Sequence, residues 1–273
     1  MQFVDTHCHI HEATASLEGD ELMHSKWHKA GLTDPGQIIA NAEKKGVHKL
    51  ICVGTTLADS RLAVTLAQQQ PKCWASIGIH PHESEDHNSN EHLEAFATLA
   101  QERKVVAIGE CGLDYFYENS PKKHQQELLE FQLDLAQKHQ LPLIFHVREA
   151  FDDFFAILDH FEGVRGVIHS FTANTAILDK CLNRGLYIGL NGIMTFTKDE
   201  GQLAAAKKVP LQKILLETDA PFLTPKPFRG TICEPKHVRV TAEFLSDLRG
   251  ESLEDLAAAT TRNAQELFKL LEE

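Results

Sequence analysis

Short apolar runs recur along this chain, each bounded by Gly, Pro or charged residues. They are FVDTH from Phe3, KLICVG from Lys49, CWASIGIH from Cys73, VVAIGE from Val105, LPLIFH from Leu141, GVIHSF from Gly166, LYIGLN from Leu186 and ILLETDAP from Ile214. Their length and β-branched content predict eight strands. Between them, segments 59–69, 90–103, 121–139, 150–160 and 175–183 carry apolar positions at helical spacing, and 252–270 predicts a final amphipathic helix. Strands apolar on both faces and alternating with helices require a parallel sheet covered by helices. Eight such units fit a closed (β/α)8 barrel, a TIM barrel, better than an open sheet. The exception to this regularity is segment 11–35, too long for an ordinary connection and rich in His, Glu and Ser. It reads as an extended loop after strand 1, serving either as a lid or helical insertion over a site or as a plain surface insertion.

Composition narrows the class. A chain of 273 residues with 42% hydrophobic and 24% charged residues suits one globular domain over 1–273. No apolar stretch approaches the roughly 18 residues that span a bilayer, and Met1 leads almost directly into the first strand, so a cytoplasmic protein is expected. Cys8, Cys52, Cys73, Cys111, Cys181 and Cys233 form no CxxC pair, which predicts reduced and mostly buried thiols. The formal charge of -12 disfavours a general nucleic-acid binder. Segment 222–241 is locally basic, with Lys226, Arg229, Lys236 and Arg239 against Glu234, so an anionic substrate has to be gripped near the site.

Groups that bind metals gather at the ends of the predicted strands. In VDTHCHIH, alternation puts Asp5, His7, His9 and His11 on one face, and HxH at a strand end places two imidazoles on one cation. Asp5 and His11 read as a supporting or structural pair. Glu110 in IGECGLDY follows four apolar residues and ends the fourth strand, where only a cation or hydrogen bonds offset its desolvation; Asp114 reads as a carboxylate in an exposed turn. LIFHVRE and GVIHSF deliver His146 and His169, and Arg148 suits either an anionic substrate oxygen or a salt bridge. In LLETDAP, Asp219 sits nearest the mouth as ligand and proton acceptor, with Glu217 behind it. Barrel active sites are assembled at the C-terminal ends of several strands, the arrangement this order of motifs produces.

The set FVDTHCH, GIHPH, GECGLDY, PLIFHVREAFDD, HSF, LLETDAP and FRG resembles the TatD family of metal-dependent deoxyribonucleases over nearly the whole chain. The resemblance implies a barrel of the metal-dependent hydrolase superfamily. It implies that His7, His9, Glu110 and Asp219 hold one metal, that Glu110, His146 and His169 hold a second, and that His80 contacts the scissile phosphate or orients the nucleophile. His11 departs from the Asp or Asn usual there, HSFTAN from HCFSGS, LNG from a serine-containing turn, and Cys233 from an Asn before Glu-Pro. A glutamate on strand four, where other branches carry a carbamylated lysine, points away from a phosphotriesterase-like site.

These readings converge on a two-metal phosphodiester hydrolase acting on single-stranded DNA ends with 3'-5' polarity. Its catalytic residues are Asp219, Glu110, His80 and Arg148, and its substrate contacts are His80, Arg148 and Arg229. Four imidazoles favour zinc, manganese or iron over magnesium, which the family is usually described as using. Two other classes remain. One is a metal-dependent amide or ester hydrolase acting on a small molecule or aminoacyl-tRNA; the other is a non-catalytic metal-binding scaffold. No membrane association and no obligate protein partner are expected.

Overall fold

A computed structural model describes residues 1–14, 21–85, 89–117 and 119–270. Eight strands follow the predicted runs: β1 (Phe3–Cys8), β2 (Val47–Val53), β3 (Cys73–Ile77), β4 (Val105–Asp114), β5 (Leu143–Arg148), β6 (Gly166–Ile168), β7 (Tyr187–Leu190) and β8 (Ile214–Leu216). They pair in parallel in chain order. β1 meets the segment after β8 through a parallel bridge between Cys8 and Ala220. Main-chain hydrogen bonds from His9 N to Ala220 O and from Asp219 N to His7 O, both 2.8 Å, draw the two ends of the sheet together into a barrel.

The helices are α1 (Glu21–Lys29), α2 (Pro35–Glu43), α3 (Leu57–Gln69), α4 (Asn90–Leu99), α5 (Lys122–His139), α6 (Phe151–Leu158), α7 (Thr175–Asn183), α8 (Glu200–Lys208), α9 (Val238–Arg249) and α10 (Leu253–Phe268). α3 to α7 and α10 match the helical spacings. α1 lies within segment 11–35, where a helical insertion is one of the readings; α2, α8 and α9 lie in segments assigned to no element, although Asp34 before Pro35 and Asp199 before Glu200 supply N-cap signals the structure uses. Part of the long segment after β1, residues 15–20, lies outside the described residues. In the remainder of segment 11–35, α1 buries Trp27, whose indole N–H donates to His9 O at 3.1 Å. This helix is therefore tied to the loop that follows β1. Among the described residues no helix is long and apolar enough to cross a membrane.

One apolar cluster takes side chains from every strand: Val4, Ile51, Trp74, Val106, Ile144, Val167, Tyr187 and Leu215. It also includes Leu267, Phe268 and Leu270 from the end of α10 and just beyond. This is the barrel interior, plugged at the N-terminal mouth, where Lys49 Nζ donates to Leu270 O at 3.0 Å. Side chains alternate along a strand, so the row through Ile144 continues to His146, that through Val167 to His169, and that through Leu215 to Glu217 and Asp219. The apolar plug and the polar site are two levels of the same rows.

Candidate metal centre

Glu110 lies within β4 and does not end it; the strand continues to Asp114. The β4–β5 register slips between Ile108 and Cys111, a bulge that re-aims the carboxylate. Gly109 (φ 148°) and Gly112 (φ 145°) flank it, and a Cβ on either would lie 2.5 Å from Ile144 O or 1.9 Å from His146 O. The glycines of GECG thus let β4 and β5 approach closely around the glutamate.

Two groups of imidazoles face this carboxylate. Glu110 Oε2 is 3.2 Å from His7 Nε2. Oε1 is 2.9 Å from His146 Nδ1, 3.6 Å from His80 Nε2 and 3.9 Å from His169 Nε2. Asp219 Oδ1 lies 3.4 Å from His9 Nε2, 3.7 Å from His7 Nε2 and 3.9 Å from His169 Nε2. All six residues expected from sequence to hold metal therefore converge, and His80 joins them.

Supporting groups orient these rings. His9 Nδ1 donates to Val53 O at 2.7 Å, which fixes the ring with Nε2 aimed at Asp219. His169 Nδ1 lies 2.9 Å from Glu217 Oε1, and the same oxygen accepts from Ser170 N at 2.6 Å, so Glu217 takes the supporting place expected of it. The His7 ring stacks on His169 with centroids 3.5 Å apart. His146 Nε2 and His82 Nε2 each lie 3.0 Å from Asp114 Oδ2.

Asp114 corrects a sequence reading: it is 1% exposed and sits at the centre of a network, not in a solvated turn. Its place four residues after Glu110 was the available signal, because even spacing on a strand keeps one face. Asp5 and His11 also part company. Asp5 accepts from Thr218 Oγ1 at 2.6 Å and Thr218 N at 2.9 Å, fastening β1 to the segment after β8, and burial pushes its carboxyl up to about 8. His11 Nε2 lies 2.6 Å from Asp59 Oδ1, and Asp59 Oδ2 accepts from Thr55 N and Thr55 Oγ1.

His11 and Asp59 are both fully enclosed, and His11 holds the Asp59 carboxyl well below the usual range against the opposing effect of burial. Thr55 O in turn accepts from His80 N at 2.8 Å. A His11→Ala variant is expected to lose about 3–5 kcal/mol of stability, because it strands a buried carboxylate. Denaturant unfolding measures this, and a loss under about 1 kcal/mol would show the pair to be dispensable.

The two arginines lie at the rim. The Arg148 guanidinium stacks 3.9 Å from the Phe116 ring centroid and 4.8 Å from that of Tyr117. Arg229 donates to Thr224 O at 3.1 Å and lies 4.0 Å over Phe196. The basic stretch is partly neutralised: Lys236 pairs with Glu234, and Arg239 with Glu243. All six cysteines are buried free thiols, as expected.

The donors fit divalent cations. Both nitrogens of the buried His7 ring lack a hydrogen-bond partner, a costly condition unless an ion takes a lone pair. Burial, followed by the neighbouring His169, lowers the His7 pKa. Burial opposes ionisation of Glu110, but His7, His169 and His80 outweigh it and hold the carboxyl well below its ordinary range. Burial likewise disfavours the cations of His146 and His169. Asp114 and Glu110 nevertheless raise His146 to about 9, and Glu217 and Glu110 raise His169 to about 10.

Without metal, then, His146 and His169 favour the imidazolium form at neutral pH, His9 is shifted in the same direction because Asp219 outweighs burial, and ion binding must displace protons. A histidine whose folded pKa exceeds its ordinary 6.5 contributes stability fully present below pH 6.5 and lost as pH rises through about 9. The thermal midpoint of chelator-treated protein is expected to fall between pH 6.5 and 9, and metal-loaded protein to show a shallower fall. Equal slopes in a pH series of melting curves would contradict this.

An eight-stranded parallel barrel with imidazoles and carboxylates gathered at its C-terminal mouth defines the class: a (β/α)8 metal-dependent hydrolase. The family model described as TatD related DNase matches residues 4–269, and the chain belongs to that family and is a metal-dependent hydrolase acting on ester bonds. It is 38% identical over 245 residues to the 3'-5' ssDNA/RNA exonuclease TatD of Citrobacter rodentium, covering 86% of this chain and 92% of that relative. It is 36% identical over 272 residues to the metal-dependent hydrolase YcfH of Escherichia coli K12, covering 99% and 97%. The crystal structure of YjjV, a TatD homolog from Escherichia coli K12, superposes with a TM-score of 0.86 at 29% identity, covering 98% of each chain.

Proposed function

We propose that this enzyme removes nucleotides from single-stranded DNA ends with 3'-5' polarity, using two divalent ions that share Glu110. The observation that supports this most directly is the division of that carboxylate, with Oε2 toward His7 and Oε1 toward His146, His80 and His169. One ion falls to His7, His9, Glu110 and Asp219, the other to Glu110, His146 and His169. When bound, divalent ions acidify water and neutralise charge on a phosphoryl oxygen.

The chain's own groups do the rest. Asp219 accepts the proton of the attacking water, and His80, only partly exposed beside Glu110, contacts the scissile phosphate. Arg229 and Arg148 stand at the rim, where arginine suits phosphate. The exonuclease names of the Citrobacter and Salmonella relatives support the DNA end as substrate. Imidazole-rich donors favour zinc, manganese or iron, with magnesium effective at higher supply. Six unpaired buried thiols accord with a cytoplasmic location.

Metal titration of the apo protein on end-labelled single- and double-stranded oligonucleotides, read at nucleotide resolution, tests substrate, direction and cofactor together. A ladder shortening from the 3' end of single strands, with elemental analysis finding a transition metal, is expected. Cleavage of an ester or amide panel with intact DNA would overturn the reading.

A further inference from the structure

Of the described Phe, Tyr and Trp side chains, three are exposed: Phe116 at 48%, Tyr117 at 45% and Phe228 at 44%. All three sit on loops at the C-terminal mouth of the barrel, Phe116 and Tyr117 just past β4 and Phe228 in the loop after β8. Phe228 is covered on one side by the His237 ring, with centroids 5.2 Å apart. Phe116 and Tyr117 are the adjoining pair, edge to face at 4.7 Å and 89°.

The pair is exposed yet held in place. The backbone N–H groups of Phe116 and Tyr117 both donate to Asp114 Oδ1 at 3.0 Å. The other oxygen of that buried carboxylate holds His146 and His82. Arg148 backs the Phe116 ring from one side. From Tyr117 a continuous path of rings leads inward, 5.5 Å to His82, then 4.4 Å to His80, which lies 4.6 Å from His146. Beyond Tyr117 opens a cleft of about 340 Å³ that Lys122 and Asn119 also line. An aromatic pair of this kind, rigid, unburied and bordered by cations, suits a flat π-system carried on an anionic backbone.

We propose that Phe116 and Tyr117 form a stacking platform for an unpaired nucleobase next to the scissile phosphate, with Arg148 bracing the ring and Lys122 beside the departing backbone. The platform rests on the exonuclease reading above and extends it. It explains how an acidic chain holds a single strand: base stacking supplies contact that a sparse basic surface does not, and it does so for any base. Arg148 serves the platform as well, because its guanidinium lies over the rings.

The test uses the full chain in chelator, so that binding is read apart from cleavage. A single-stranded oligonucleotide carrying 2-aminopurine near its 3' end is titrated against wild type, Phe116→Ala/Tyr117→Ala and Phe116→Leu/Tyr117→Leu. The leucine pair keeps apolar bulk and removes the π-face. Wild type is expected to quench the probe, and both double variants to bind roughly five- to 100-fold more weakly. An oligonucleotide abasic at the probe position is expected to bind wild type as weakly as the intact strand binds the variants, with no further loss when both changes are combined. Equal fractional losses on intact and abasic strands, or full affinity in the leucine pair, would overturn the platform. Metal-dependent DNA cleavage with that outcome leaves the exonuclease reading standing, whereas coupling without cleavage removes the exonuclease reading and keeps the platform.

Discussion

Glu110→Ala is expected to lower metal-dependent hydrolysis by at least about 10³-fold, the largest effect of any single change in the barrel. Its two oxygens face different sets of imidazoles, so one substitution removes an anchor from both proposed ion positions. The cost extends to the metal-free fold. Raised pKa values leave His146 and His169 protonated at neutral pH, and Glu110 is one of the carboxylates that balance them. Chelator-treated Glu110→Ala is therefore expected to melt below chelator-treated wild type, with the gap narrowing as pH rises past 9 and the His146 cation is lost. Elemental analysis of the variant is expected to find less than the full complement of metal. Glu110→Gln separates shape from charge: it keeps the outline of the side chain and is expected to lose activity as severely. Full metal-dependent activity in either variant would sink the two-ion reading.

Asp219→Asn is expected to reduce kcat by about 10²- to 10⁴-fold with a smaller change in single-strand binding, as loss of a proton acceptor requires. Asparagine is the informative choice because Asp219 adopts φ 65°, a left-handed conformation that asparagine tolerates and alanine does not. The main-chain bond from Asp219 N to His7 O, which helps join the ends of the sheet, is kept. The carboxylate charge beside His9, His7 and His169 is lost, and with it the acceptor nearest the mouth. Steady-state kinetics on a labelled oligonucleotide, paired with binding in chelator, measures the split. A large rise in KM with kcat intact would assign Asp219 to substrate binding instead of proton transfer.

Much of the site was legible because strand chemistry is local. A histidine or carboxylate that ends an apolar run has to face the barrel mouth, and His7, His9, His146, His169 and Asp219 obey that rule. Asp114 escaped it because the bulge at Glu110 carries β4 four residues further, so that a charge apparently beyond the strand is buried within it. His11 was grouped with Asp5 by parity, yet the chain leaves the strand at His9 and a 3-10 turn from Ile10 to Ala13 swings the ring to Asp59, 48 residues away. The basic stretch after β8 looked like a phosphate grip from charge alone; Glu243, on α9, answers Arg239.

By itself the sequence determined the eight strands, their parallel arrangement and the residues able to hold cations, because periodicity and the cost of burying charge act over a few neighbouring residues. Tertiary structure alone decided which imidazole shares which carboxylate, how Asp114 links the site to the aromatic rim, and where the arginines stack. Those outcomes depend on strand register and loop path. They bring together atoms from segments far apart in the chain, and no local pattern encodes their distances.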